Sequence, residues 1–182
     1  MNKVYKMYQE ACNVPSDINQ HLPTLFKYAN ECNHITEMGV RWIVSTWAFL
    51  ATTPQKMISY DIRHPNEFGA DLNSLIALTR EESIDYIFIQ KDVLQVEIEE
   101  TDLLFIDTLH NYSQLKEELR LHANKVKKYI IFHDTITYGT VGESNDSGIT
   151  PAIVEFLGQN PNWYLREQFI NNNGLMVIAR AT

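Results

Sequence analysis

Short apolar runs alternate with amphipathic segments along most of the chain. Apolar and β-branched residues fill five runs that we predict to be strands, at residues 34–40, 56–62, 86–90, 103–106 and 130–132. Between them, apolar positions recur at helical spacing, which predicts helices at residues 45–52, 71–82, 112–126 and 151–157. This alternation predicts an α/β protein whose parallel sheet is covered by helices on both faces.

The two ends of the chain depart from this alternation. Residues 3–12 and 16–32 have helical periodicity, and Ser16 and Asp17 are candidate caps for the second helix. Residues 163–169 and 175–179 flank a turn sequence, NNNG, which predicts an antiparallel hairpin. We therefore expect one domain over residues 1–182. Its mostly parallel, seven-stranded core occupies residues 33–182, and the helices of residues 1–32 cover the acceptor side or mediate self-association into a homo-oligomer.

Composition narrows the possible partners. Hydrophobic residues make up 45% of the chain and charged residues 21%, as in ordinary globular proteins. The net charge of -8 provides no basic surface for nucleic acid. No leader-like segment or long apolar run occurs, so we expect a cytoplasmic protein without a membrane partner. Cys12 and Cys32 have no spacing suited to a disulfide framework or structural zinc, and we expect both to be reduced.

Acidic residues stand at or just after the ends of the predicted strands. Asp61, Asp92, Asp107 and Asp134 follow four of these strands, and Glu37 lies at the end of the first. The carboxyl ends of parallel strands meet at one edge of a sheet, which is where such folds bind ligands. The sequence therefore predicts an acidic site at this edge.

The segment after the first strand favours a nucleoside ligand. Gly39 suits a tight turn, and Asp61 follows it by 22 residues, at the end of the next strand, where an acidic residue can bind ribose hydroxyls. The glycines that let a backbone approach a pyrophosphate are absent, because residues 41–43 are Arg, Trp and Ile. A ligand with ribose and adenine but no phosphate fits this loop better than a dinucleotide does.

Four segments in this order resemble the motifs of class I S-adenosylmethionine-dependent methyltransferases. They are ITEMGVRWIVST, SYDI, QKDV and DLLFIDTLHNY. The likeness spans residues 34–180 and is closest to small-molecule O-methyltransferases of the macrocin O-methyltransferase and cephalosporin hydroxylase type. It implies a Rossmann-like, doubly wound fold and S-adenosylmethionine as the cofactor.

The resemblance also implies roles for individual residues. Glu37 and Gly39 would line the methionine side, and Ser45 would lie near the methionine carboxylate. The adenosine would be held by Asp61 on the ribose, with Ile62 in the same motif, and by Asp92 and the backbone amide of Val93 on the adenine. Asp107 of the fourth motif would also face the cofactor. One departure is Ile43, which replaces the family's second glycine and is expected to narrow the loop or to change its turn.

The last two strands supply candidate catalytic groups. Asp107 and Asp134 could bind a divalent cation that lowers the pKa of an acceptor hydroxyl, with His133 as a further candidate ligand and His110 as the general base. Mg²⁺ is the leading candidate, and an imidazole ligand would favour Mn²⁺, Fe²⁺ or Zn²⁺ instead. Three alternatives stay open: His133 hydrogen-bonded to Asp134 or to backbone, His110 as a surface histidine, and a reaction without metal.

We predict an S-adenosylmethionine-dependent O-methyltransferase that acts on a hydroxyl of a small molecule, such as a sugar. One alternative is a nucleoside-binding module without catalysis, and another is a metal-dependent hydroxylase or hydrolase on the same edge. Residues 138–149 are rich in Gly, Ser and Asn and are predicted to form a mobile lid over the acceptor. The remaining histidines, at positions 21, 34, 64 and 122, are expected at helix surfaces or in turns.

Overall fold

Seven strands form a single sheet in the computed structural model, which describes residues 2–181. The strands are β1 (His34–Met38), β2 (Lys56–Asp61), β3 (Asp85–Gln90), β4 (Thr101–Ile106), β5 (Val126–His133), β6 (Trp163–Phe169) and β7 (Leu175–Arg180). Their order is β3-β2-β1-β4-β5-β7-β6. The first five strands are parallel, and β7 runs antiparallel to both β5 and β6. The predicted fold class is thus confirmed, including the antiparallel hairpin at the end.

Six α-helices cover the two faces of the sheet. They are α1 (Lys3–Asn13), α2 (Leu22–Ala29), α3 (Val44–Leu50), α4 (Leu72–Glu81), α5 (Tyr112–His122) and α6 (Ile149–Gln159). Short 3₁₀ helices occupy Asn19–His21, Pro65–Phe68, Val93–Gln95 and Ala123–Lys125. No helix among residues 2–181 combines the length and apolar character needed to cross a membrane.

Alternating side chains of the central strands divide the core into two layers. In β4, Leu103 and Phe105 pack among residues of α1 to α4, whereas Leu104 and Ile106 pack on the opposite face with α5 and α6. All four side chains are buried. Period-two alternation makes each strand apolar on both faces, which is why β4 appears in the sequence as a continuous apolar run.

The N-terminal region differs from its prediction between residues 16 and 21. The second helix begins at Leu22, not at residue 16, with Pro23 in its first turn, and neither Ser16 nor Asp17 caps it. The backbone of this segment is bonded to the β6–β7 turn instead: the Asn172 side-chain amide donates a hydrogen bond to the carbonyl oxygen of Ser16 at 2.8 Å. Residues 16–18, predicted as helical, therefore form a non-helical strip against the β6–β7 turn.

Two histidines predicted at helix surfaces or turns are buried instead. His21 and His122 are each only 1% exposed. Each ring is hydrogen-bonded to backbone carbonyl oxygens, from Asn171 and Asn172 for His21 and from Val93 for His122. Burial lowers the pKa of both imidazoles, which favours their neutral forms.

Candidate functional site

A cavity of about 490 Å³ opens at the carboxyl ends of β1, β2 and β4. Its lining includes these predicted site residues: Gly39, Ser45, Asp61, Ile62, Asp92, Val93, Asp107, His110 and Asp134. A second cavity, of about 590 Å³, is lined by residues of α5, α6 and β6, and no predicted site residue lines it. We take the smaller cavity as the candidate site because it contains the polar groups that the strands deliver.

The turn after β1 brings two strand ends into close contact. Gly39 has φ +88°, and a Cβ atom at this position would lie 1.8 Å from the backbone carbonyl oxygen of Asp107. The Asp107 amide in turn donates to the carbonyl oxygen of Met38 at 2.8 Å. Both the positive φ and the close approach exclude any side chain at Gly39.

Ile43 keeps a backbone conformation that glycine favours. It precedes α3 with φ +58°, in the left-handed region, and Arg41 in the same loop has φ +43°. A β-branched residue in this region stores on the order of 1–3 kcal/mol of strain. The Ile43 side chain is buried in the core between the sheet and the N-terminal helices. Ile43 therefore adopts the left-handed conformation itself, and its effect on cofactor binding stays a prediction.

Asp61 is fixed by the loop that it faces. Its Oδ2 accepts hydrogen bonds from the amides of Val40 and Arg41 at 2.8 and 3.0 Å, and its Oδ1 accepts from the Arg63 amide at 2.9 Å. A carboxylate offers about four acceptor positions, so these amides leave room for about one ribose hydroxyl. Contact of Asp61 with both ribose hydroxyls, as predicted, would require one hydroxyl to share an acceptor position that a backbone amide already occupies.

The predicted adenine end lies next to Asp61. Asp92 caps the 3₁₀ helix after β3 by accepting from the Leu94 amide at 2.9 Å, and Val93 is buried in the cavity wall. Ile62 lies at the rim and is largely exposed. These three residues line the same cavity as Asp61, and their contact with an adenosine stays a prediction.

Glu37 does not line the cavity. It is fully buried beneath it, and its carboxylate accepts hydrogen bonds from the hydroxyls of Ser45, Thr46 and Ser59 at 2.6–3.2 Å. Burial raises the pKa of Glu37 to about 7, against the opposing effect of the three hydroxyl donors. Ser45 lines the cavity, so any influence of Glu37 on a ligand passes through that hydroxyl. Direct contact of Glu37 with the cofactor stays a prediction.

Asp107, His110 and Asp134 converge at the other end of the cavity. The Nε2 atom of His110 lies 3.0 Å from Asp107 Oδ1 and 3.2 Å from Asp134 Oδ2. One potential ligand atom from each residue lies within 4.8 Å of the others, so the three could hold one metal ion. His110 is mostly buried, with 13% of its side chain exposed, and is therefore not a surface-turn histidine.

Charge in this cluster is balanced by the imidazole. Burial alone would lower the pKa of His110, but its hydrogen bond with Asp107 and the charges of Asp107 and Asp134 raise that pKa to about 9, with a contribution from Glu143. Burial opposes ionisation of Asp107, yet hydrogen bonds from His110 and His133 hold its pKa well below the usual range. Without a bound metal, His110 is therefore an imidazolium at neutral pH.

His133 lies outside this group of three. Its ring is 1% exposed and its Nδ1 is 3.4 Å from Asp107 Oδ1, while its Nε2 faces the carbonyl oxygen of Asp17 at 3.1 Å. Burial lowers the pKa of His133, but the hydrogen bond and charge of Asp107 outweigh it, and the pKa is raised. His133 Nδ1 also lies 3.6 Å from Asp134 Oδ2, so the ring contacts both carboxylates without belonging to the group of three that could hold one ion. Its role as a metal ligand stays a prediction.

Three further residues, which the sequence did not indicate as part of the site, also reach it. Asp17 and Ile18, from the strip between α1 and α2, line the cavity beside Asp134. Glu143 comes from the predicted lid and contacts His110. The Gly/Ser/Asn-rich composition marked the second segment as functional, whereas no local signal distinguished Asp17 from a helix cap.

Comparisons with known proteins fit this architecture. No family model matches the chain, and no curated protein matches it significantly in sequence. Among solved structures, an O-methyltransferase from Bacillus cereus in complex with S-adenosylhomocysteine has 14% identity, a TM-score of 0.66, and coverage of 99% of this chain and 91% of that one. The S-adenosylhomocysteine-bound methyltransferase PaMTH1 from Podospora anserina has 12% identity, a TM-score of 0.63, and coverage of 100% and 89%.

The chain has the fold of the class I methyltransferases. The same fold also occurs in a ribosomal protein L11 methylase from Lactobacillus delbrueckii, with 13% identity, a TM-score of 0.61, and coverage of 89% of this chain and 79% of that one. Since these similar structures differ in what they are named for, the fold alone does not identify the function of this chain, which must be inferred from its own cavity.

Proposed function

We propose that the chain is an S-adenosylmethionine-dependent O-methyltransferase that transfers a methyl group to a hydroxyl of a small molecule, such as a sugar. The observation that carries this proposal is the cavity itself. It joins Asp61 and Asp92, which suit a nucleoside, to the cluster of Asp107, His110 and Asp134, which suits a hydroxyl. Such a cavity can bring a methyl donor and an acceptor together.

The nucleoside end supports a donor without phosphates. The amides of Val40 and Arg41 are already bonded to Asp61, so they are not free to bind a pyrophosphate. The carboxylate keeps about one acceptor position for a ribose hydroxyl. Asp92 and Val93 stand next to it, where the adenine of S-adenosylmethionine would lie.

The opposite end is suited to a divalent cation. Among residues 2–181, the buried Oδ1 atom of Asp134 has no hydrogen-bond partner, a costly arrangement that a bound cation would relieve. Asp107 and Asp134 would hold the cation, and a pair of carboxylates is compatible with Mg²⁺. A divalent cation at this position supplies Lewis-acid activation of the acceptor hydroxyl.

His110 is the residue that we propose as the general base. Its Nε2 points between the two carboxylates, at the place where an acceptor hydroxyl would lose its proton. The imidazolium that the metal-free cluster favours cannot accept a proton. The base role therefore requires that another positive charge replaces that of His110 between Asp107 and Asp134.

Calorimetric titration of the full chain with S-adenosylmethionine, S-adenosylhomocysteine and NAD, each with and without MgCl₂, tests the proposal. We expect both sulfur nucleosides to bind more tightly than NAD. Tighter binding of NAD, or no binding of either sulfur nucleoside, would contradict the proposed cofactor. If binding is normal but a panel of hydroxylated acceptors is never methylated, the non-catalytic nucleoside-binding alternative is favoured instead.

A further inference from the structure

Glu143 contacts the His110 ring on the side opposite to Asp107 and Asp134. Its Oε1 lies 2.5 Å from Nδ1 of the His110 ring and 3.3 Å from the His110 backbone amide. The Glu143 amide in turn donates to the carbonyl oxygen of His110 at 3.2 Å. Glu143 is thus attached to both the ring and the backbone of the proposed base.

The segment that carries Glu143 is ordered by its own hydrogen bonds. The Gly142 amide donates to the carbonyl oxygen of Asp146 at 2.9 Å, and Val141 pairs with Ser147 in an antiparallel bridge. A Cβ atom on Gly142 would lie 2.7 Å from the carbonyl oxygen of His110, so a glycine allows this close approach. The predicted lid segment is therefore packed against the site.

The plane of the His110 ring is fixed by a third contact. Tyr138 stacks on it with ring centroids 5.0 Å apart and an interplanar angle of 13°. Stacking restricts the tilt of the imidazole but does not distinguish its two nitrogens. That distinction depends on the hydrogen-bond acceptors at each end of the ring.

Carboxylates at both ends compete for the single N–H of a neutral imidazole. Asp107 and Asp134 face Nε2, and Glu143 faces Nδ1. A proton on Nε2 would prevent that nitrogen from accepting one from the acceptor hydroxyl. A proton on Nδ1, donated to Glu143, leaves the lone pair of Nε2 directed into the cavity.

We propose that Glu143 is the positioning residue of His110: it holds the Nδ1–H of the neutral ring and so makes Nε2 the nitrogen that faces the acceptor. This inference rests on the proposed function for its catalytic meaning, because it concerns the base of that reaction. Its geometric content, the choice of protonated nitrogen, can be measured without any acceptor.

The test is nitrogen NMR of the full chain labelled with ¹⁵N-histidine, recorded at increasing pH until the His110 ring nitrogens have the chemical shifts of a neutral imidazole. The His110 signals are assigned from their loss in His110→Asn. We expect Nδ1 to be protonated and Nε2 unprotonated in the wild type. Glu143→Gln keeps an acceptor oxygen and should keep this tautomer, whereas Glu143→Ala should convert His110 mainly to the Nε2–H form.

Tyr138→Phe is the matched control, because it retains the stacked ring and the Glu143 carboxylate and should keep the wild-type tautomer. A wild-type proton on Nε2, or an unchanged tautomer in Glu143→Ala, would overturn the proposal. Titration of the same samples with S-adenosylhomocysteine tests the proposed function separately. Loss of that binding in the wild type would refute the cofactor assignment, while the tautomer would still decide the role of Glu143.

Discussion

Replacing Glu37 by Gln should make the free energy of unfolding depend less on pH. The carboxylate is fully buried, and burial raises its pKa from 4.5 to about 7. The folded state therefore holds this proton more tightly than the unfolded state does, so the free energy of unfolding falls as pH rises from about 4.5 to about 7 and is level above that. Each pKa unit corresponds to 1.36 kcal/mol, which gives a loss of about 3 kcal/mol from this residue.

The assay is urea denaturation of both proteins at several values between about pH 5 and pH 8, followed by tryptophan fluorescence. Gln cannot ionise but can still bond to the hydroxyls of Ser45, Thr46 and Ser59, which donate or accept by rotation. The wild type should lose about 2.5 kcal/mol more than Glu37→Gln over this range, since part of the effect lies below pH 5. Parallel pH profiles for the two proteins would refute the assignment of a raised pKa to Glu37, since all other titrating groups are shared.

Three further predictions concern the cavity. Asp61→Ala should weaken binding of S-adenosylhomocysteine by on the order of 1.5–3 kcal/mol, because it removes a charged acceptor of a ribose hydroxyl; unchanged affinity in calorimetry would remove Asp61 from the site. Gly39→Ala should lower the free energy of unfolding by about 1–3 kcal/mol or more, since its Cβ would lie 1.8 Å from a carbonyl oxygen. The control is Gly158→Ala in α6, where a Cβ has nothing within 4 Å and should not lower the melting temperature. Once an acceptor is known, His110→Ala should slow single turnover by about 10²- to 10⁴-fold while cofactor binding stays normal. Asp134→Ala should abolish metal-dependent turnover. Full activity of the wild type in EDTA would exclude the cation.

The sequence predicted the strand-end residues well because strands constrain them strongly. Asp61, Asp107 and Asp134 each end or closely follow an apolar run whose short length favours a buried strand, and parallel strands bring their carboxyl ends together. The same logic placed Gly39, whose turn is required by the approach of β4. The position of a residue at the end of a predicted strand is thus enough to locate this half of the site.

Other residues were misplaced because their partners are distant in the sequence. His21 was expected at a helix surface or in a turn but is buried against the carbonyl oxygens of residues 171 and 172. Glu143 reaches His110 across 33 positions, from a segment with no periodic pattern. His133, predicted as a metal ligand, keeps its Nδ1 3.4 Å from Asp107 Oδ1, while its Nε2 faces the carbonyl oxygen of Asp17, a contact across 116 positions that the sequence did not indicate. Tertiary hydrogen bonds of this kind leave no trace in local spacing or composition.

The strip of residues 16–18 determines how late in the synthesis of the chain the cavity can form. It is tied to the β6–β7 turn, where Asn172 binds the carbonyl oxygen of Ser16 and the amide of Gln20. A nascent chain that has emerged only through α6 already contains His110 and Asp134, yet it lacks the turn that holds Asp17 against the cavity and the strand β7 that pairs with β5. Domains synthesised on the ribosome fold as units once their last elements are available. The part of the cavity lined by Asp17 therefore cannot form before the β6–β7 turn and β7 have been synthesised, so a product truncated after α6 would retain His110 and Asp134 but lack this wall.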